Sequence, residues 1–124
     1  MYRENLPPSC PMDGSEPPSE LVVFRLVSQV PPSDADFDSQ AKLGSFNING
    51  KPDQLVCRAF GCSVFTKLTS ARRAQKLPKL KHLQHVVKLT LTPDSGRVHT
   101  KDGDHHDWWL SSTCDVHALI DGVA

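Results

Sequence analysis

Residues 21 to 27 read LVVFRLV, a near-continuous apolar run rich in β-branched side chains and closed by PPSD, which predicts a buried β-strand. Its one interruption is Arg25. Strand alternation places Arg25 on the face of Leu21, Val23 and Val27, opposite Val22, Phe24 and Leu26. Residues 85 to 91, HVVKLTL, set Val87, Leu89 and Leu91 against Val86, Lys88 and Thr90, and TPDSG supplies the stop of this second strand. Cys62 to Phe65 predicts a third strand after the break at Gly61, RVHT a hairpin partner, and HDWWL a short aromatic strand. Phe46 to Ile48 reads as a short strand entering the Asn49-Gly50 turn.

Helical spacing is clearest in TKLTSARRAQKLP. Thr66 is the expected N-cap, Leu68, Ala71, Ala74 or Gln75 and Leu77 form the inner stripe, and Pro78 ends it. QLVCRAF is a short helical or extended piece, and STCDVHALID predicts a short C-terminal helix capped by Ser112 or Thr113. The elements together describe an α+β domain: a small mixed or antiparallel sheet with one central helix and a short C-terminal helix.

Composition sets the boundaries. Five of the first twenty residues are proline and hydrophobic periodicity is absent there, so residues 1–20 are expected to form a disordered tail and 21–124 the single domain. A domain of that size buries roughly 60 to 70% of its unfolded surface, enough for one core without a metal or disulfide. No apolar run approaches the roughly 20 residues of a membrane span, and the N-terminus lacks a secretory pattern, so a cytoplasmic protein with no membrane partner is expected. Cys10, Cys57, Cys62 and Cys114 include one in the expected tail, which points to reduced thiols.

Formal charge is zero but unevenly spread: residues 1–57, 58–88 and 89–124 carry −4, +8 and −4. The middle block contains Arg58, Lys67, Arg72, Arg73, Lys76, Lys79, Lys81 and Lys88 and no acid. Such a block either pairs with the protein's own acidic ends and solvent or holds an anionic partner, nucleic acid or an acidic protein, by steering and counterion release. Arg72, Arg73, Lys76, Lys79 and Lys81 are the residues expected to track a phosphate backbone. Residues 66–100 contain no aromatic side chain, so stacking on exposed bases is not expected from this stretch.

The densest cluster of chemistry-bearing residues is KDGDHHDWW. His99, Asp104 and His105 are its candidate metal ligands, but adjacent histidines on an extended chain point to opposite faces, and a polar turn before an edge strand accounts for the same letters. No metal is therefore expected. Cys57, Cys62, His82 and His85 fail zinc-finger spacing, with a 19-residue spacer and two intervening residues between the histidines. Trp108 and Trp109 face opposite sides of a strand, which predicts one in the core and the other, with His105, at the rim of a binding surface. Arg25 must find a carboxylate such as Asp107, a set of carbonyls, or a ligand phosphate.

The order of VFRLV, CSVFTKLTSARRAQ and HVVKLTL resembles that of the ADP-ribosyltransferase-like superfamily over about 70 residues. The resemblance implies that Arg25 contacts NAD and that Ser63 closes the nicotinamide pocket. The family's late glutamate has no counterpart, since Glu4, Glu16 and Glu20 are the only glutamates, so His106 or Asp107 would have to serve as the remaining catalytic candidate. The run from SVF to HHDWW is also similar to small bacterial proteins that supply no function. The sequence thus supports three readings, in this order: a binding module with a basic face at 58–88, a reduced transferase-like domain with NAD as its one possible cofactor, and a structural or self-associating protein. It leaves open whether the chain is an enzyme.

Overall fold

The computed structural model describes residues 1–124. Six strands form one sheet: β1 (Leu21–Val27), β2 (Cys62–Phe65), β3 (His85–Leu91), β4 (Gly96–Asp102), β5 (His105–Leu110) and β6 (Ile120–Val123). The strand order is β4-β5-β2-β1-β3-β6, and every neighbouring pair is antiparallel. Four short helices accompany it: α1 (Gln40–Leu43), α2 (Asp53–Ala59), α3 (Leu68–Ala74) and α4 (Val116–Leu119).

This is a mostly-sheet fold, which corrects the expected α+β domain with a central helix. The helix expected at the centre is only the seven residues of α3, packed on one face of the sheet. Of its expected inner stripe Ala71 is buried and Ala74 half-buried, whereas Leu68 and Leu77 are 36% and 55% exposed. Its N-cap is Lys67 rather than Thr66, whose N–H instead donates to the Asp104 carbonyl. The C-terminal helix is the single turn α4, with Asp115 at its N-cap, and the chain leaves it as β6 along the edge of β3. Phe46 to Ile48 forms no strand.

Both faces of the sheet are covered. One carries the main core: Val23 and Val27 of β1, Cys62 and Val64 of β2, Val87, Leu89 and Leu91 of β3, Val98 of β4, and Trp108 and Leu110 of β5, closed by Phe37 and Val116. On the other, α3 and Leu80 and Leu83 cover Leu26, Val86, Phe24 and Phe65. Trp109 lies on that second face under Met12 and Cys57, with Tyr2, Leu6 and Cys10 around them. The two tryptophans are 0% and 1% exposed, so neither is at a rim. Each indole N–H has a carbonyl, Ser95 O at 3.2 Å for Trp108 and Cys57 O at 3.0 Å for Trp109, as burial of a donor requires.

Residues 1–20 are therefore not a disordered tail. Tyr2 bridges to Ser111, Arg3 N donates to Leu110 O, the Glu4 carboxylate accepts from the N–H and hydroxyl of Ser39, and Glu16 pairs with Val98 in both directions at 3.0 and 2.8 Å. A disulfide joins Cys10 to Cys57, so the four cysteines are not all reduced. Composition alone argued for disorder, but Tyr2, Leu6 and Met12 bring enough apolar surface to cover one tryptophan, and the crosslink lowers the entropy of the open chain. No helix is long and apolar enough to cross a membrane.

Candidate functional site

Arg25 projects from β1 on the face of Val23 and Val27. Its guanidinium donates to Ser63 O at 2.7 Å and to Asp36 O at 2.9 and 3.2 Å. No carboxylate meets it, and the pairing with Asp107 expected as one solution does not occur, because Asp107 belongs to the opposite face. The carbonyl of Asp36 is held in place by its own side chain, which is buried and accepts from Ser28 N and Ser33 N at 2.8 and 3.0 Å. Burial works against that carboxylate, but the N–H groups of Ser28 and Ser33 outweigh it and hold Asp36 below the usual carboxylate range.

The register sets Ser63 of β2 opposite Asp107 of β5, and Asp107 opposite His99 of β4. This row runs across the face that carries Trp109. The α2–β2 junction roofs it: a side chain on Gly61 would place its Cβ 3.1 Å from Asp107 Cβ and 3.3 Å from Arg58 O. Asp107 is 2% exposed and its Oδ2 has no hydrogen-bond partner. Burial pushes its carboxyl up to about 6, against the pull of Lys101, Arg58 and His99. Arg58 Nε, His99 Nδ1, His105 Nε2 and His106 Nδ1 are also buried without partners. All but Arg58 belong to the β4–β5 hairpin, which makes this the least satisfied polar region of the fold.

The two adjacent histidines diverge as the alternation requires. His105 stacks on Phe65, ring centroids 4.8 Å apart, and burial lowers its pKa to about 4, with Lys101 and His106 adding to the shift. His106 turns to the other face, opposite Val64, with its Nε2 3.3 Å from Thr100 Oγ1. Asp104 is taken up by the start of α3, accepting from Ser70 Oγ at 2.9 Å and lying 3.9 Å from Lys67 Nζ. No group of three or more His, Cys, Asp or Glu side chains is gathered closely enough to hold a metal ion: Asp104 goes to Ser70 and Lys67, His105 stacks on Phe65, and His99 meets neither.

A cleft of about 390 Å³ lies at the β4 edge, between residues 14–19 and the sheet. Glu16, Ser19, His99, Thr100 and His106 supply its polar lining, and Pro17, Pro18, Leu21 and Val98 its walls. This cleft is not legible in the sequence, because one wall is the segment expected to be disordered. Pro17-Pro18 just ahead of β1 is the one local signal of a rigid approach to the sheet edge.

The cationic block lies elsewhere. Arg72, Arg73, Lys76, Lys79 and Lys81 are exposed on α3 and the turns after it. Arg72 donates to Gln75 Oε1 and to the Ala124 carbonyl oxygen, and the other four have no acid within reach. Of all eight cations between Arg58 and Lys88, only Lys67 forms an ion pair. No protein-family model matches the chain, and neither a curated protein nor a solved structure matches it.

Proposed function

We propose that the protein is a small binding module whose basic surface, Arg73, Lys76, Lys79 and Lys81 with Arg72 beside them, engages the phosphate backbone of a nucleic acid. The observation that supports this reading is the failure of the block to pair internally. No acid lies among the eight cations in sequence, and folding gives only one of them an ion pair. A flexible surface ion pair contributes little to stability, so the clustering of four unpaired cations costs repulsion without a compensating internal contact. A polyanion removes that repulsion and releases its own counterions. The absence of aromatic residues from 66–100 favours backbone contact over base stacking.

The test is binding to duplexes of unrelated sequence over a salt series. Four phosphate contacts predict a slope of log K against log salt of roughly −3.6, and Arg73→Ala with Lys76→Ala lowers it by roughly 1.8 while weakening all sequences alike. Salt-insensitive binding, or a slope that the double variant leaves unchanged, overturns the reading. Binding to an acidic protein but to no duplex reassigns the partner.

A second reading rests on a separate observation. Arg25 and His106, remote in sequence, fall on one face of the neighbouring strands β1, β2 and β5, with Ser63 and Asp107 on the opposite face, and His106 also lines the cleft. A nucleotide such as NAD seated there predicts amide NMR shifts at Arg25, Ser63 and His105 to Trp108 on titration. Unshifted amides at millimolar NAD sink it. The carbonyls already held by Arg25 rank this reading second.

A further inference from the structure

We propose that the Cys10–Cys57 disulfide is a reducible latch: a dithiol reductant opens it, and residues 7–19 then lift from the sheet, exposing the side of Trp109 that Met12 covers and removing one wall of the cleft. The arch between its two fixed ends is the basis. Residues 1–4 are pinned by Tyr2 to Ser111, Arg3 to Leu110 and Asp34, and Glu4 to Ser39; the other end becomes β1 at Leu21.

Between them, residues 7–19 contain five prolines and no helix or strand. Met12 and Pro18 are buried, Glu16 pairs with Val98, and Arg97 donates to the hydroxyl and carbonyl of Ser15. The only covalent hold is Cys10 to Cys57. Without it, these few contacts must offset the ordering of thirteen residues, and the effective concentration that brings Met12 to Trp109 is lost.

The chemistry is thiol–disulfide exchange. Cys57 is 2% exposed and Cys10 is half-buried, so an attacking thiolate reaches Cys10 Sγ. The new bond forms there, the S–S bond breaks, and the Cys57 thiolate leaves and takes a proton. The reductant's second thiol then releases Cys10, so that two electrons pass to the protein and the reductant departs as its own disulfide. Cys62 and Cys114 do not compete: burial pushes both thiols up, Cys114 to about 11, which keeps them protonated. A reducing compartment therefore favours the open arch and an oxidising one the closed arch.

The test is amide hydrogen exchange on the full chain before and after dithiothreitol, with mass spectrometry establishing the gain of two hydrogens. Glu16 and Val98, which exchange hydrogen bonds with each other, are expected to lose protection by at least about tenfold while Leu89 in the core keeps its own. Trp109 emission shifts to the red, and re-oxidation reverses both effects. Cys10→Ser reproduces the reduced state without reductant. Unchanged protection at Glu16 and Val98 after full reduction overturns the latch, as does loss of protection at Leu89 together with them, which would make the bond a support of the whole fold.

Discussion

Gly96→Ala is expected to destabilise the protein by more than about 4 kcal/mol, or to prevent folding. Gly96 opens β4 with φ +139°, a backbone conformation that side chains rarely adopt, and it pairs with Leu110. A Cβ there would lie 2.0 Å from Trp109 O, 2.9 Å from Trp109 C and 3.1 Å from Leu110 Cα. All three are backbone atoms, so no rotamer change makes room. The strand that must move carries Trp108 and Trp109, one in the core on each face, and both faces are disturbed by one methyl group. Gly103→Ala is the control. Its φ is +53° with nothing within 4 Å of the added Cβ, so it meets conformational strain alone, about 1 to 2 kcal/mol. Denaturant unfolding followed by tryptophan fluorescence separates the two, and similar losses at both positions would show that the close approach at Gly96 is relieved cheaply.

β1, β2 and β3 were legible in the sequence to the residue, because apolar β-branched runs bounded by proline, glycine and turn residues leave few alternatives. The strands β4 and β5 were legible in outline, but β4 pairs with β5 and not back across the TPDSG turn with β3 as expected. β6 was not: Ile120–Val123 contains an aspartate and a glycine and is mostly exposed, and only its pairing with β3 makes it a strand. The tryptophans show a different failure. Alternation correctly sent them to opposite faces, but the sequence does not state that residues 1–12 return to cover the second face. Once those residues were set aside as a proline-rich tail, Trp109 had to be expected at a rim. The candidate site divides in the same way. That Arg25 needs a partner is a local inference, whereas its use of the Asp36 and Ser63 carbonyls depends on a turn and a strand folded beside it. Charge clustering at 58–88 is visible in the sequence, and the lack of ion pairs at Arg72, Arg73, Lys76, Lys79 and Lys81 in space is not.

Asp107→Asn is expected to make stability fall on acidification, by about 1 to 2 kcal/mol between pH 6.5 and 4, where the unaltered protein holds or gains stability from this cause. Two buried groups oppose each other in that window. Asp107 is raised by burial from 3.8 to about 6, so the folded state binds its proton more tightly than the unfolded chain, and its contribution is present at low pH and lost as pH rises through about 6. His105 is lowered by burial from 6.5 to about 4, so the unfolded chain binds the proton more tightly, and its contribution is present above 6.5 and lost as pH falls towards 4. The Asp107 shift is worth about 3 kcal/mol at 1.36 kcal/mol per unit, and that of the partly exposed His105, reduced by solvent screening, about 1 to 2 kcal/mol. Asn at 107 keeps the shape of the neutral carboxyl and removes only its titration, leaving the slope of His105. His105→Phe keeps a ring against Phe65 and leaves the slope of Asp107, so stability then rises on acidification through the same window. The Asp36 carboxylate, held low by Ser28 and Ser33, contributes only above its own depressed pKa and sets in below the window. Urea unfolding of the three proteins from pH 4 to 6.5 checks the signs. Parallel curves for the parent and Asp107→Asn would mean that Asp107 ionises as if hydrated, and water would then reach its carboxyl beneath Gly61 and Arg58.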